Sequence, residues 1–449
     1  MTTFNTDRVL TRIQEALDHS DLDGAIRVLE LLRPMDQVDV FDDLDDKDQI
    51  SLLPNLTPTV SANILENLDE ANAAELVAAI PHDTAVRIIN EMEPDEAADL
   101  LGDIHPGKAQ IFLDALENPE EIRPLLLHPD ESAGGLMTSE YLALRRRMTA
   151  ADAITAIHEW QPENDDLYYL FVVDGEGQLC GTVSLRQLIV AEPNIALMEI
   201  MDPDVISVPA GTDQEECARV MTHYDLVTLA VVDQQKRLLG VITIDDVIDV
   251  IVDEATEDIQ RLGGAQPLSQ PYLDTRVPSV ARSRVGWLML LFVTESLTGT
   301  VLRHFEGELQ AVVALSFFIP LLIGTGGNAG SQTTSTIIRA LAVGDIDLKD
   351  GLLALWHELR VGLLLGIGMS VIAFIRALTW GSTQGLAATV SFSILAIVIW
   401  ANALGAFLPI LAARLKIDPT VVSGPVMSTL VDATGLFIYF TIARMIMTL

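Results

Sequence analysis

Five apolar stretches dominate the second part of the chain, at residues 285–304, 311–341, 353–377, 387–413 and 420–448. Each reaches the ~20 residues that a helix needs to cross a bilayer. Five crossings put the two ends of this region on opposite sides of a membrane. Arg282, Arg284, Arg339, Lys349, Arg414 and Lys416 flank one side, and Arg303, Arg376 and Arg444 flank the other. By the positive-inside rule the part before residue 282 is expected in the cytoplasm and the C-terminus outside. The opening "MTTFNTDRVLTRIQ" carries no apolar signal core, which leaves the later spans as the expected route into the bilayer.

Charge divides the chain at the same place. Of 27 Lys+Arg and 64 Asp+Glu, residues 281–449 hold ten and nine, so residues 1–280 hold 17 and 55 and carry a charge of −38. An acidic, water-facing part joined to a nearly neutral apolar part describes a membrane protein with a large soluble domain. The carboxylate excess repels phosphates, which argues against nucleic acid, and it favours cations; a merely solvated surface is the plainer alternative. Two cysteines, Cys180 and Cys217, are too few for a disulfide framework and fit a reducing compartment.

Within the soluble part, residues 32–116 repeat every twelve. Leu32, Leu44, Leu56, Leu68, Ile80, Met92, Ile104 and Leu116 are apolar, as are Val40, Leu52, Ile64, Leu76, Ile88, Leu100 and Phe112. The intervening "LTPTVS", "LDEANA", "EPDEAA" and "IHPGKA" offer Pro, Asp or Thr where helices start. Two-turn helices stacked in a superhelix are predicted, with the apolar positions as core. From about residue 131 the pattern changes to β-α alternation in two halves. "YLFVVDGEGQLCGTVSLRQLIV" (169–190) matches "TLAVVDQQKRLLGVITIDDVID" (228–249) at an offset of 59, pairing Asp174 with Asp233 and Gly181 with Gly240. These halves resemble a tandem pair of CBS domains, a ligand-sensing fold that often takes adenine nucleotides. "DDVIDVIVDEATEDIQRLGG" then predicts an acidic helix stopped by Gly263 and Gly264, with a Pro-, Gln- and Ser-rich connection over 265–280.

Polar residues inside the spans stand out. Asp432, in "SGPVMSTLVDATGLFIYF", lies mid-span, where a carboxylate costs at least ~2.5–3.5 kcal/mol. It either faces water or is hydrogen-bonded between helices. Glu295 is nearer a helix end and can snorkel. "IPLLIGTGGNAGSQTTSTII" (319–338) holds Gly324, Gly326, Gly327 and Gly330, followed by Asn328, Gln332, Thr333 and Thr334. Two readings stay open: the glycines permit close helix packing, or they expose backbone oxygens as hard ligands for a hydrated divalent cation. No nucleophile-base pair or phosphate loop appears, and "GTGGNAG" lacks the Lys of a P-loop. An enzyme is not expected.

The order of parts, with "PLLIGTGGNAGSQ" and "DPTVVSGPVMSTLVDATG", resembles the MgtE magnesium channels over nearly the whole chain. The resemblance implies a multi-domain membrane protein: an all-α superhelical Mg-sensing domain (1–130), an α/β tandem CBS pair (131–250), a connecting plug helix and linker (251–281) and a five-helix transmembrane pore domain (282–449). It implies a homodimer in the lipid bilayer, selective for Mg²⁺, whose cytoplasmic domains close the pore when Mg²⁺ is plentiful. Asp432 matches the family's pore-ion position, Asp418 a site near the cytoplasmic mouth, and the backbone at Ser428 the same lining; Asn328 joins this set from its place after the glycines. Matching regulatory metal positions are Asp95 and Asp99 in "EPDEAADLL", Asp213, Glu215 and Asp225 in the CBS pair, and Asp246, Asp249, Glu254, Glu257 and Asp258 in the connecting helix. Gly135, or its neighbour Gly134, matches a backbone ligand. Some relatives bind ATP at the CBS pair, and no pocket residue here is assigned to it. Spacing adds that Asp95 and Asp99, and Glu254 and Asp258, share helix faces at i, i+4 and repel when unpaired. Two other classes stand beside the channel: a coupled transporter of Co²⁺ or Mn²⁺, and a nucleotide-sensing membrane regulator that transports nothing.

Overall fold

Seven short helices begin at residues 34, 46, 58, 70, 82, 94 and 106, twelve apart: Pro34–Asp42, Asp46–Leu52, Pro58–Glu66, Glu70–Ala79, His82–Ile89, Pro94–Asp103 and Pro106–Leu113. Four start on proline, whose fixed φ suits the first turn and whose missing N–H would have no partner there anyway. The Thr57 hydroxyl accepts from the Val60 amide ahead of one of these, and the Asp69 carboxylate, accepting from the Asn72 amide, caps the helix Glu70–Ala79. Every apolar position of the repeat is buried except Leu32, which is half-buried. The computed structural model describes residues 3–160, 169–268, 272–273, 275–422 and 424–447, in two compact units, Met1–Val252 and Asp253–Leu449.

Two three-stranded sheets follow in the first unit. One holds β1 (Ala143–Arg145), β2 (Tyr169–Val173) and β3 (Leu179–Ser184); the other holds β4 (Ser207–Pro209), β5 (Thr228–Val232) and β6 (Leu238–Thr243). In each, the first two strands run parallel and the last two antiparallel. The offset of 59 survives in detail. Tyr169 pairs with Ser184 as Thr228 pairs with Thr243, and the register slips at Val172/Val173 and again at Val231/Val232. Asp174 accepts from the amides of Glu176 and Gln178, and Asp233 from those of Gln235 and Arg237, so both polar turns close on the same Asx geometry. The left-handed turn position is Gly177 in one half and Lys236 in the other. A side chain at Gly240 would lie 2.7 Å from the Thr138 carbonyl, which explains that glycine.

Among the described residues, the second unit carries five helices long and apolar enough to cross a membrane, within Val277–His304, Val313–Ala342, Leu348–Thr379, Gln384–Arg414 and Gly424–Met447. The first begins earlier than predicted, at Val277, because Pro278 sits in its first turn; residues 269–271 and 274 of the predicted connection lie outside the described residues. The second span opens with a 3-10 turn, Val313–Phe318, and continues as one helix, Ile319–Ala342. Its glycines are therefore helical. A side chain at Gly326 would meet Ile397 and Val431, one at Gly330 would meet Met427, and one at Gly405 of the fourth span would lie 2.7 Å from the Gly330 carbonyl. Of the two readings, close packing is the one the geometry carries. Thr333 fastens the same contact, donating to Asn402 at 2.7 Å.

Ion pairs mark the two ends of this unit. Glu308, after the first span, accepts from Arg444 Nε at 2.7 Å at the end of the fifth. Arg261, before the first span, pairs with Asp418, between the fourth and fifth. These pairings are what five alternating crossings require.

Candidate metal-sensing and pore sites

The turn "EPDEAADLL" starts the helix Pro94–Asp103 and points its carboxylates at the beginning of the helix Ile244–Leu262. Asp95 is 6% exposed, and its Oδ1 has no hydrogen-bond partner. Burial, then the charges of Asp246 and Glu93, hold its carboxyl well above the usual range. Burial and the neighbouring carboxylates push Glu96 up to about 9 and Asp99 to about 7. Asp246 rises to about 6 through burial, although its Oδ2 accepts from the Thr243 hydroxyl at 2.5 Å and from the Thr243 amide at 3.3 Å. The structure thus brings Asp95, Asp99 and Asp246 into one electrostatic cluster. It adds Glu96 and Glu93, which sequence reasoning missed. Glu96 was visible as an acid between two acids, but nothing in the sequence says that its side of the helix is covered.

This donor set fits a divalent cation. Anionic oxygens are partly removed from water with no Lys or Arg among the causes of their shifts, and one buried oxygen has no partner. Among the described residues, no three acidic, His or Cys side chains already stand in metal-holding geometry. Gly135 lies in a tight turn, where a side chain would meet the carbonyl of Asp130 at 2.5 Å, and the Asp130 charge acts on Asp99; Gly134 is equally closed, by His128.

Asp213, Glu215 and Asp225 are exposed and belong to the helix Gln214–Tyr224. Asp213 caps its start, accepting from the Glu215 amide at 3.0 Å, and Asp225 ends it in the left-handed conformation. Eleven residues of helix separate these two carboxylates by roughly 16 Å, so they cannot share one ion within a protomer. Asp249 is exposed on the connecting helix.

Farther along that helix, Glu257 pairs with Arg261 one turn on, and the Arg261 guanidinium also reaches Asp418 Oδ2 at 2.5 Å. Asp418 Oδ1 accepts from the Thr420 amide at 2.8 Å, capping the turn before the fifth span. Burial raises Asp258, and Asp418 and Glu254 add to it while Arg339 opposes. Arg261 is a second residue that the sequence did not reveal, because Asp418 lies 157 residues away.

In the fifth span, Asp432 is half-buried with its Oδ1 unpartnered, and Glu295 of the first span is close enough to interact with it. Ser428, one turn before Asp432, packs on Gly327, and its hydroxyl lies 3.4 Å from that of Ser331. The glycine face of the second span therefore lies beside the face of the fifth that carries Ser428. Asn328 and Gln332 form a separate, exposed stripe.

Five apolar spans with an unpartnered carboxylate oxygen inside the last, preceded by a unit of helical repeats and two similar three-stranded sheets, describe a multi-domain membrane transport protein. Comparison with known proteins agrees. The MgtE profile described as a divalent cation transporter matches residues 319–442, the MgtE intracellular N domain matches 12–131, and the CBS domain matches 133–194 and 197–253. The magnesium transporter MgtE of Thermus thermophilus is 43% identical over 73% of this chain and 72% of its own length. That of Bacillus subtilis is 33% identical over 74% and 73%. The crystal structure of the cytosolic domain of the Mg²⁺ channel MgtE in complex with ATP superposes with a TM-score of 0.51 at 36% identity, covering 54% of this chain and 99% of that one. The soluble part of a magnesium transporter gives 0.50 at 31%, covering 56% and 99%. The chain belongs to the MgtE family.

Proposed function

We propose that this chain is a Mg²⁺-selective channel of the bacterial inner membrane, acting as a homodimer, that admits Mg²⁺ and is closed by it from the cytoplasmic side. The observation that carries the transport reading is Asp432: a carboxylate in a membrane span with an oxygen left unpartnered. The cost of placing it there, at least ~2.5–3.5 kcal/mol, makes sense if it faces a water-filled path and meets a passing cation. One carboxylate per chain with uncharged oxygens around it suits an ion that keeps most of its water, as Mg²⁺ does. Asp432→Ala is expected to abolish Mg²⁺ flux in proteoliposomes while the protein remains folded and assembled; undiminished flux would refute the assignment.

The sensing reading is supported by the acidic cluster of the first unit. Asp95, Asp99 and Asp246, joined by Glu96, would hold a divalent cation, which supplies the positive charge their crowding lacks. Without it these carboxylates repel, and the helix Pro94–Asp103 and the start of the connecting helix are pushed apart. Sites on parts that move are weak, on the order of the millimolar range of low-affinity hard-cation modules, yet several acting together switch a two-state element steeply. Asp213, Glu215, Asp225, Asp249 and Gly135 join this network in the same reading, as do Glu254, Glu257, Asp258 and Asp418 nearer the membrane, while Ser428 and Asn328 line the path beside Asp432. ATP at the CBS pair is carried over from the relative crystallised with it. One observation favours the coupled-transporter alternative for Co²⁺ or Mn²⁺: Glu295 lies near Asp432, and paired intramembrane acids can carry protons. Flux measured with and without an imposed proton gradient separates the two.

A further inference from the structure

The carboxylates assigned to cation binding at the membrane end of the connecting helix already have a cation of the chain's own. Arg261 sits in the last turn of the helix Ile244–Leu262, and its guanidinium spans Glu257 on that helix and Asp418 ahead of the fifth span. The three side chains are only partly exposed, 40% for Arg261, 27% for Glu257 and 34% for Asp418, so the bridge is shielded better than a surface pair. A planar guanidinium can serve two carboxylates at once, which a lysine ammonium does less specifically. Next to the bridge, the carbonyl of Leu262 would lie 3.9 Å from a side chain added at Gly424, the first residue of the fifth span's helix.

We propose that Arg261 is a tethered counter-cation that holds the connecting helix against the entrance of the fifth span, occupying the carboxylates that a divalent cation would otherwise bridge. The proposal rests on the reading of Glu257 and Asp418 as regulatory carboxylates. Arg261 keeps the helix seated when Mg²⁺ is scarce, and so it sets how much of the closed contact is left for Mg²⁺ to provide. Around it stand Glu254 and Asp258 on its own helix and Arg339 from the second span, so anionic charge exceeds cationic charge even with the bridge made. Removing the guanidinium leaves Glu257 and Asp418 facing each other without compensation, and the contact becomes dependent on added divalent cation.

The test uses the full-length protein in detergent, its native cysteines replaced by Cys180→Ser and Cys217→Ala, carrying Leu262→Cys and Gly424→Cys joined by a short bifunctional maleimide, with each single-cysteine variant as control. In EDTA, Arg261→Gln is expected to slow cross-linking about threefold or more relative to the parent, as loss of a partly shielded ion pair should. Millimolar Mg²⁺ should restore the parent rate, and Arg261→Lys should stay near the parent throughout. Three results would overturn the tether: equal cross-linking of Arg261→Gln and parent in EDTA, no restoration by Mg²⁺, or a loss in Arg261→Lys as large as in Arg261→Gln, which would make the effect one of shape. Mg²⁺ flux of the parent, measured on the same preparation, reports separately on the channel reading.

Discussion

Asp95, Glu96, Asp99 and Asp246 show how packing changes an acidic helix that looks solvated in the sequence. Each is held above its ordinary range by burial first and by neighbouring carboxylates second, apart from Asp246, where hydrogen bonds from Thr243 pull the other way. A carboxylate that titrates higher folded than unfolded gives stability that is complete below the unfolded value and is lost as pH rises through the folded one. For this cluster the loss runs upward through about 6 for Asp246, about 7 for Asp99 and about 9 for Glu96. Hydrogen exchange of residues 94–103 in the full-length protein, in EDTA and corrected for the intrinsic pH dependence of exchange, should therefore be slower near pH 5 than near pH 9. Saturating Mg²⁺ should remove most of the difference at the alkaline end, since a bound cation compensates the ionised carboxylates. Exchange that is indifferent to pH and to Mg²⁺ would show that the cluster senses neither.

At the scale of elements, the second span explains why glycines crowd an apolar helix. Gly326, Gly327 and Gly330 lie against Ile397, Val431, Ser428 and Met427, and Gly405 meets the Gly330 carbonyl from the fourth span. Gly405→Leu must displace backbone as well as side chains and is expected to cost ~1–3 kcal/mol, lowering the melting temperature in detergent. Gly324→Ala, where nothing lies within 4 Å, should be neutral or slightly stabilising. Equal effects of the two substitutions would contradict the packing account. Much of this level was legible in advance: the twelve-residue helix starts from their prolines and caps, the duplicated strands from the offset of 59, and the spans from length and hydropathy. The start of the first span was not, because Gln266, Pro267, Ser269 and Pro271 read as loop up to a helix that Pro278 then opens. Nor was Arg261, whose bridge to Asp418 joins residues that no periodicity connects. Covered carboxylates such as Glu96 escape for the same reason: burial is a property of the packed unit, and an acidic helix face looks alike whether it meets water or another helix.

For the whole molecule, membership of the MgtE family and the layout of five spans place a charge-dense first part and a nearly neutral membrane part in one chain. Residues 1–280 carry a charge of −38 against +1 for the rest, and self-repulsion of that size is relieved by bound cations, which is why the proposed closing signal is a cation. Closure is steep only if several carboxylate sites bias the same two-state element, each by a modest difference in affinity. The direct measurement is the current through the purified protein in a planar bilayer while Mg²⁺ on the side of the soluble domain is titrated through the millimolar range. The account predicts a Mg²⁺ current that shuts off steeply as that concentration rises and that is absent in Asp432→Ala. A current that persists unchanged across the titration, or that survives in Asp432→Ala, would contradict it.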